Sequence, residues 1–272
     1  MSARLAAAFA AARAQRRAAL IGYLPAGFPT FADSVRLVRA MVDAGVDIVE
    51  VGLPYSDPLM DGPAIQEAVD IALRQGTTTD VVLQAVAEAS DAGATALVMS
   101  YWNPVERYGV DRFSAALSQA GGVGLITPDL TPEEAAPWFE ASARWDLGRV
   151  FLVAPSSTDA RIEVICRACS GFVYAASTMG VTGVRAAVGD AAADLVRRTK
   201  AATGLPVAVG IGVSNGTQAA EVAGYADAVI VGSAFIRAIL ESTTSDEALK
   251  RVTGLAAELA AAVRGPVTGR VA

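Results

Sequence analysis

The chain has 272 residues, of which 53% are hydrophobic, and its 28 acidic and 22 basic residues give a formal net charge of −6. That length suits one large α/β barrel or two small domains with a well-buried core, and it argues against a disordered chain. No Lys/Arg cluster follows the first twenty residues, so the electrostatic pattern typical of nucleic-acid binding is missing. Histidine is absent, so acid–base chemistry has to rest on carboxylates, Tyr, Lys or Cys.

The N-terminal stretch MSARLAAAFAAARAQRRAAL carries four Arg and no acidic residue, which is the composition of a transit peptide. It has no Ser-rich stretch, however, and it runs directly into the first predicted strand. We therefore predict an uncleaved amphipathic helix over residues 1–17 that packs on the barrel described below. Leu5 and Phe9 would face inward, and the side chains expected in solvent are Arg13, Arg16 and Arg17. No run of eighteen uncharged apolar residues occurs, so no membrane span is predicted.

Short β-branched runs alternate with Ala-rich segments of helical spacing, several of which end in a Gly that stops a helix. The predicted strands are Leu20–Leu24, Asp47–Leu53, Ala96–Ser100, Val123–Thr127, Arg149–Val153, Phe172–Ser177, Pro206–Gly210 and Ala228–Val231. Eight strand–helix units in about 250 residues predict a single α/β domain over residues 1–272, a (β/α)8 TIM barrel. A doubly wound open sheet is the alternative; the barrel is preferred because no linker divides the chain.

Two predicted connections are too long for plain turns. They cover residues 54–76 after the second strand and residues 178–190 after the sixth. Loops that follow the strands of a barrel lie at its C-terminal face, where active sites form. Both segments are therefore candidate lids over the same mouth.

Glycine pairs follow the last two predicted strands. GIGVSNG contains Gly210 and Gly212, and VGSAF contains Gly232 and Ser233. Glycines let backbone N–H groups approach an anion, a helix N-terminus favours negative charge, and a Ser hydroxyl adds a donor. We therefore predict a phosphate site, although each Gly could serve only its own turn. The segment GVTG, residues 180–183, could add another amide or act as a hinge.

One carboxyl group lies inside an apolar strand. In IVEVG, strand alternation directs Glu50 away from Val49 and Val51. If the two valines face the helices, Glu50 faces the barrel interior, where desolvation would raise its pKa toward neutrality and suit it to proton transfer. The alternative is a structural Glu paired with an Arg, for which Arg149 at the start of the fifth strand is the candidate.

Two further polar residues come from the same region of the predicted barrel. Asp61 follows Glu50 by eleven residues, in LMDGPAIQ, and the residues alone leave open whether it caps a turn or takes part in catalysis. Tyr174, in GFVYAAS, is predicted to be a core residue, and a hydrogen bond near Glu50 is compatible with that position.

The two cysteines, Cys166 and Cys169, form a lone C-x-x-C. No second pair exists to complete a zinc site, and we predict no metal. We interpret them as free, buried or half-buried thiols, which suits a reducing cytoplasm.

These motifs resemble the tryptophan synthase alpha subunit family from about residue 18 to the last helix. The resemblance rests on DIVEVGLPYSDPLMDGPAIQ, residues 47–66, and on YAASTMGVTG, AVGIGVSN and VIVGSAFI in the matching order. It implies a lyase of tryptophan biosynthesis that splits indole-3-glycerol phosphate into indole and glyceraldehyde 3-phosphate. The alternatives are another phosphate-binding barrel lyase or isomerase, and a non-catalytic barrel that binds phosphorylated ligands.

Carried over by position, the resemblance implies that Glu50 is the general acid and base, that Asp61 holds the indole N–H, and that Tyr174 supports the pocket. The implied phosphate ligands are Gly183, Gly212, Gly232 and Ser233. The implied indole pocket comprises Tyr23, Ile65, Met99, Ile126, Leu152 and Ile211. Tyr23 stands where a Phe is expected, and Thr178 where some members carry Arg.

The resemblance also implies a partner. It is the beta subunit of an α2β2 assembly, which holds pyridoxal phosphate and receives the indole, while this chain carries no cofactor. Asp57 would lie at the contact, and the assembly would be cytoplasmic.

Overall fold

The computed structural model describes residues 2–176, 185–210 and 212–265, with side chains omitted for residues 185–189. Within these ranges nine parallel strands form one sheet in the order β5-β4-β3-β2-β1-β9-β8-β7-β6. The strands are β1 Ala19–Pro25, β2 Ile48–Gly52, β3 Thr95–Met99, β4 Gly124–Ile126, β5 Gly148–Val150, β6 Leu152–Val153, β7 Val173–Ala176, β8 Val207–Gly210 and β9 Ala228–Val231.

The sheet closes because its two end strands belong to one continuous segment. The predicted fifth strand is interrupted at Phe151, which separates β5 from β6. β5 pairs with β4 and β6 pairs with β7, so the nine strands form eight staves. At the interruption, the Phe151 N–H donates to Cys169 Sγ at 3.4 Å. The predicted TIM barrel is confirmed.

Twelve helices lie within the described ranges. They are α1 Ala3–Ala14, α2 Phe31–Asp43, α3 Pro63–Arg74, α4 Thr79–Asp91, α5 Trp102–Tyr108, α6 Val110–Gln119, α7 Ala136–Arg144, α8 Asp159–Ala168, α9 Arg185–Ala202, α10 Gly216–Ala223, α11 Ser233–Leu240 and α12 Ser245–Val263. Several begin at a Thr or Asn whose side chain accepts a free N–H of the first turn, as Thr30 does for α2. None of these helices is long and apolar enough to cross a membrane.

Neither predicted long loop is loop throughout. In the first, α3 spans Pro63–Arg74 and begins at a Pro whose fixed φ and missing N–H suit the first turn, so residues 54–62 are irregular and residues 75–76 form a turn. In the second, residues 178–184 lie outside the described part, and residues 185–190 already belong to α9.

The strands separate two apolar layers. One lies between sheet and helices and includes Val49 and Val51. The other fills the barrel interior and includes Ile48, with Leu5 and Phe9 of α1 packed into it. Helix α1 therefore closes the N-terminal end of the barrel.

The prediction for the N-terminal segment is wrong about the end of the helix and about the exposure of Arg17. Helix α1 ends at Ala14 rather than residue 17, and Arg17 is 4% exposed instead of solvated. Its guanidinium donates to both carboxylate oxygens of Asp47 at 2.6 and 2.7 Å. Asp47 also accepts the Leu20 N–H at 2.8 Å, so the ion pair ties the N-terminal segment to β1 and β2.

Replacing Arg17 with Ala should lower the free energy of unfolding by about 3 kcal/mol, because the half-buried Asp47 carboxylate loses its cation. Arg13→Ala is the matched control, since Arg13 is exposed in the same segment, and it should change stability by less than about 0.5 kcal/mol. Urea unfolding of both variants measures the difference. Equal midpoints would show that the ion pair does not stabilise the fold.

Candidate active site

A cavity of about 490 Å³ opens at the carboxyl ends of the strands. The predicted site residues that line it are Tyr23, Glu50, Asp61, Ile65, Met99, Leu152, Tyr174, Gly212, Gly232 and Ser233. Ile126 is not among the lining residues: it is fully buried in the interior layer, and Pro128 reaches the mouth instead. Gly183 and Ile211 lie outside the described residues.

Sequence reasoning missed several lining residues. They are Met60, Pro128, Ala154, Pro155, Ala176 and Ile230. All are apolar, and a residue of this kind at a strand end is indistinguishable in sequence from a core residue. Only the register of the strands shows that they reach the mouth.

Glu50 lies in β2 beside Tyr23 of β1 and Leu97 of β3. It is 1% exposed, and neither of its carboxyl oxygens has a hydrogen-bond partner among the described residues. Burial raises the pKa of Glu50 from 4.5 to about 8, because ionisation in a dry site is costly. Near pH 7 the side chain is therefore a neutral acid with a proton to donate.

Arg149 does not neutralise Glu50. Its guanidinium donates to the Ala168 carbonyl at 2.8 Å and to Ser142 Oγ at 3.1 Å, and it stacks on the Phe139 ring. Arg149 is therefore not the structural partner of Glu50, which the sequence had left open as an alternative.

Two tyrosine side chains enter the cavity over glycines. A Cβ on Gly52 would lie 2.5 Å from Tyr23 Oη, and a Cβ on Gly210 would lie 2.3 Å from Tyr174 Oη. Burial, and then the nearby carboxyl groups, raise the pKa of both tyrosines well above the ordinary value. The suggested hydrogen bond between Tyr174 and Glu50 is not formed, which leaves the Glu50 oxygens free for a ligand.

Asp61 lies just before α3. The N-cap of α3 is Gly62, so Asp61 precedes the position from which a side chain caps a helix. Its side chain lines the cavity, while its carbonyl accepts from Gln66 Nε2 at 2.8 Å. Burial raises the pKa of Asp61, and the Tyr101 hydroxyl acts in the opposite direction.

The two glycine motifs differ in the helix that follows each. At the start of α10 the Gly216 N–H donates to Glu258 Oε1 at 2.6 Å, and the Ser214 N–H donates to Gln218 Oε1 at 2.8 Å. At the start of α11, Gly232 offers no side-chain cap, and Gly232 and Ser233 both line the cavity. The free N–H groups of a helix N-terminus attract anions, so α11 offers the better phosphate site.

The described lining of the cavity contains no Lys or Arg, so no cationic side chain there would bind the phosphate in place of these amides. Gly212, from the other motif, adds a backbone amide at the rim and takes a φ of 73°, which favours glycine. A phosphate here would be held by backbone N–H groups and the Ser233 hydroxyl.

The two cysteines lie away from the cavity lining. Both thiols are free and buried, and burial raises the pKa of Cys166 to about 11 and of Cys169 to about 12. Within the described ranges, no group of three or more His, Cys, Asp or Glu side chains could hold a metal ion.

Comparison with known proteins agrees with this geometry. A sequence model of the family described as tryptophan synthase alpha chain matches residues 9–264. The tryptophan synthase alpha chain of Thermobifida fusca is 60% identical over 258 residues, which cover 94% of this chain and 96% of that protein. That of Streptomyces avermitilis is 58% identical over 257 residues, covering 94% and 93%.

Solved structures show the same relationship. A chain of Mycobacterium tuberculosis tryptophan synthase superposes with a TM-score of 0.90 at 53% identity, covering 97% of this chain and 99% of that one. Tryptophan synthase subunit alpha from Legionella pneumophila gives a TM-score of 0.88 at 31% identity, covering 97% and 98%. With a matching family model and relatives of high identity over nearly its whole length, the chain belongs to the tryptophan synthase alpha chain family.

Proposed function

We propose that this chain splits indole-3-glycerol phosphate into indole and glyceraldehyde 3-phosphate, as the lyase subunit of tryptophan synthase in tryptophan biosynthesis. The observation that carries the proposal is the presence, in one cavity, of a buried, unpartnered Glu50 and a second carboxyl group, Asp61. Cleaving this carbon–carbon bond requires a proton donor, a proton acceptor and a group that stabilises positive charge. Two carboxyl groups in different environments supply all three.

Glu50 enters the reaction as the neutral acid, because burial raises its pKa to about 8. It donates its proton to C3 of the indole ring, which places positive charge on the ring nitrogen. The Glu50 carboxylate then removes the proton of the glycerol hydroxyl next to the ring. The carbon–carbon bond breaks as the aldehyde forms, and its electron pair returns to the ring. Glu50 ends the cycle with its proton restored.

Asp61 acts as the carboxylate of the pair. It is only partly buried, at the edge of the cavity, so ionisation costs less than at Glu50. In its ionised form it accepts the indole N–H and stabilises the positive charge that develops when C3 is protonated.

The rest of the cavity positions the substrate. The amides of Gly212 and Gly232 and the Ser233 amide and hydroxyl hold the phosphate, and Gly183 is proposed from the resemblance alone. The indole lies in the apolar part, which is lined by Tyr23, Ile65, Met99, Leu152 and Ile230. Tyr174 supports the pocket, and Ile211 stays a prediction.

The loop between β2 and α3 is the proposed contact with the beta subunit of an α2β2 assembly. Leu59 and Met60 are large hydrophobic residues that are 82% and 57% exposed, and Asp57 is exposed beside them. An apolar pair of this kind is typical of a partner contact. The beta subunit would hold pyridoxal phosphate and receive the indole, and the assembly would be cytoplasmic.

The alternatives drawn from sequence are not favoured. Another phosphate-binding isomerase or a non-catalytic barrel has no support among the relatives reported above, which are named tryptophan synthase alpha chain at 58–60% identity. A buried and unpartnered acid would also destabilise a non-catalytic barrel without benefit.

Glu50→Gln should abolish indole release from indole-3-glycerol phosphate, because the nearly isosteric amide has no proton to donate to C3. The affinity for glycerol 3-phosphate, which probes the phosphate site alone, should stay within about two-fold, since that site is built on other strands. Indole assays and calorimetric titration measure the two effects. Loss of both functions, or of neither, would count against the assigned role.

The same variant should reveal the cost of burying Glu50. Below about pH 4 the folded and unfolded chains both hold the proton, so Glu50 contributes nothing to pH dependence. As the pH rises from 4.5 to about 8, the unfolded chain loses this proton and the folded chain keeps it, so stability falls.

The unfolding free energy of the wild type, relative to Glu50→Gln, should therefore decrease on the order of 3 kcal/mol between about pH 5 and pH 8. Urea unfolding at a series of pH values measures this difference. Parallel stability curves for the two proteins would show that the pKa of Glu50 is not raised.

Ser233→Ala should mainly raise KM, because the hydroxyl binds the phosphate equally in the ground state and the transition state. Loss of one hydrogen bond to a charged group predicts an increase of about ten-fold or more. Steady-state kinetics separates KM from kcat. A fall in kcat at constant KM would contradict this role for Ser233.

A further inference from the structure

The irregular segment between β2 and α3, residues 53–62, carries Asp61 but has few contacts with the barrel. Ser56, Asp57, Leu59 and Met60 are exposed, and the Ser56 hydroxyl bonds only to the neighbouring Asp57. Its first residue is fixed, because the Leu53 N–H donates to the Met99 carbonyl at 2.9 Å. A second contact, further along the segment than Leu53, is needed to keep Asp61 facing the cavity.

One side chain provides that contact. The hydroxyl of Tyr101 accepts the N–H groups of Leu59 and Met60 at 3.1 and 2.9 Å. No other side chain from outside residues 53–66 is hydrogen-bonded to residues 54–62 within the described part of the chain. The Tyr101 ring also packs against Tyr55 of the same segment, with ring centroids 5.4 Å apart.

Tyr101 is itself held by the barrel. It directly precedes α5 at the end of β3, and it is 6% exposed. The Ser100 hydroxyl donates to its carbonyl at 2.7 Å, and the next N–H, that of Trp102, donates to the Asp129 carboxylate at 2.9 Å. A rigid residue therefore holds an exposed segment.

The proton of the Tyr101 hydroxyl is not used by the two amides. Both acceptor positions of the phenol oxygen are occupied by the two amides, so its proton points elsewhere. Asp61 directly follows these two amides, and the Tyr101 hydroxyl lowers the pKa of the Asp61 carboxyl against the effect of burial. The other ionisable groups that face Asp61 from the described strands are Tyr23, Glu50 and Tyr174.

We propose that Tyr101 is a positioning residue of the lyase reaction: its hydroxyl fixes the Asp61 segment through two amides and donates its own proton to the Asp61 carboxylate. The proposal rests on the function proposed above, because it assigns Tyr101 an effect on catalysis only through Asp61. It predicts that the ring matters for packing and the hydroxyl for turnover.

Tyr101→Phe, which keeps the ring, should lower kcat/KM for indole release by about 10- to 100-fold, the effect of losing a hydrogen bond to a charged group. The acidic limb of the pH profile should move to higher pH, since Asp61 loses the contact that favours its ionised form. The alkaline limb, set by Glu50, and the affinity for glycerol 3-phosphate should not change. Thermal unfolding checks that the variant is folded.

Tyr55→Phe is the matched control. It removes a hydroxyl from the same ring pair, and that hydroxyl has no hydrogen bond to any described residue. Its kinetics and pH profile without the beta subunit should equal those of the wild type. Wild-type turnover and an unmoved acidic limb in Tyr101→Phe would overturn the proposal.

A double-mutant cycle tests the route through Asp61. If Tyr101 acts through Asp61, adding Tyr101→Phe to Asp61→Asn should lower kcat/KM by less than about two-fold further. Fully additive losses would show that Tyr101 acts independently of Asp61, and would overturn the proposal.

Hydrogen exchange makes the test independent of the proposed reaction. In Tyr101→Phe the amides of Leu59 and Met60 should exchange at least ten-fold faster, and the amides of β2 should not. If the wild type released no indole, the proposed function would fail. The exchange measurement would still show whether the Tyr101 hydroxyl holds the segment of residues 53–62. Unchanged exchange at both amides would overturn the proposal.

Discussion

Glu50 is held among apolar strands with neither carboxyl oxygen bonded to another described group, and the chemistry of the site follows from the cost of ionising it there. The side chain stands one layer above Ile48, and helix α1 closes the barrel below that layer. Among the described residues, the side of Glu50 away from the mouth is therefore packed with apolar side chains. Burial turns an ordinary carboxylate into an acid that keeps its proton near pH 7, as the proposed proton donor of the reaction has to.

The proposed sites of proton transfer and of phosphate binding lie on different parts of the barrel mouth. The Glu50 carboxyl comes from β2, whereas the proposed anion site comes from the ends of β8 and β9. The two helices that follow those strands differ at their N-termini: the first amide of α10 donates to Glu258 of α12, whereas α11 has no side-chain cap among the described residues. The proposed phosphate site therefore lies at Gly232 and Ser233, and the described cavity lining holds no Lys or Arg that would favour ionisation of Glu50.

The staves of the barrel and the inward direction of Glu50 could be predicted because strands buried on both faces read as apolar runs and alternate strictly. Side chains whose environment depends on distant parts of the chain could not. Arg17 resembles a solvated helix residue until Asp47 is placed beside it, and Ile126 resembles a pocket residue until the register buries it. Tyr101 was missed because its proposed role depends on a loop 41 residues earlier.

The two carboxyl groups differ in mechanical support as well as in pKa. Glu50 belongs to a strand hydrogen-bonded on both sides, so its position is as rigid as the barrel. Asp61 belongs to an exposed segment that Tyr101 holds from one side, and the opposite side presents Leu59 and Met60 to solvent. A partner that covers those residues would bear directly on the position of Asp61 and leave Glu50 and the phosphate site undisturbed. In the proposed mechanism, assembly would therefore act on catalysis through Asp61 rather than through Glu50 or the phosphate site.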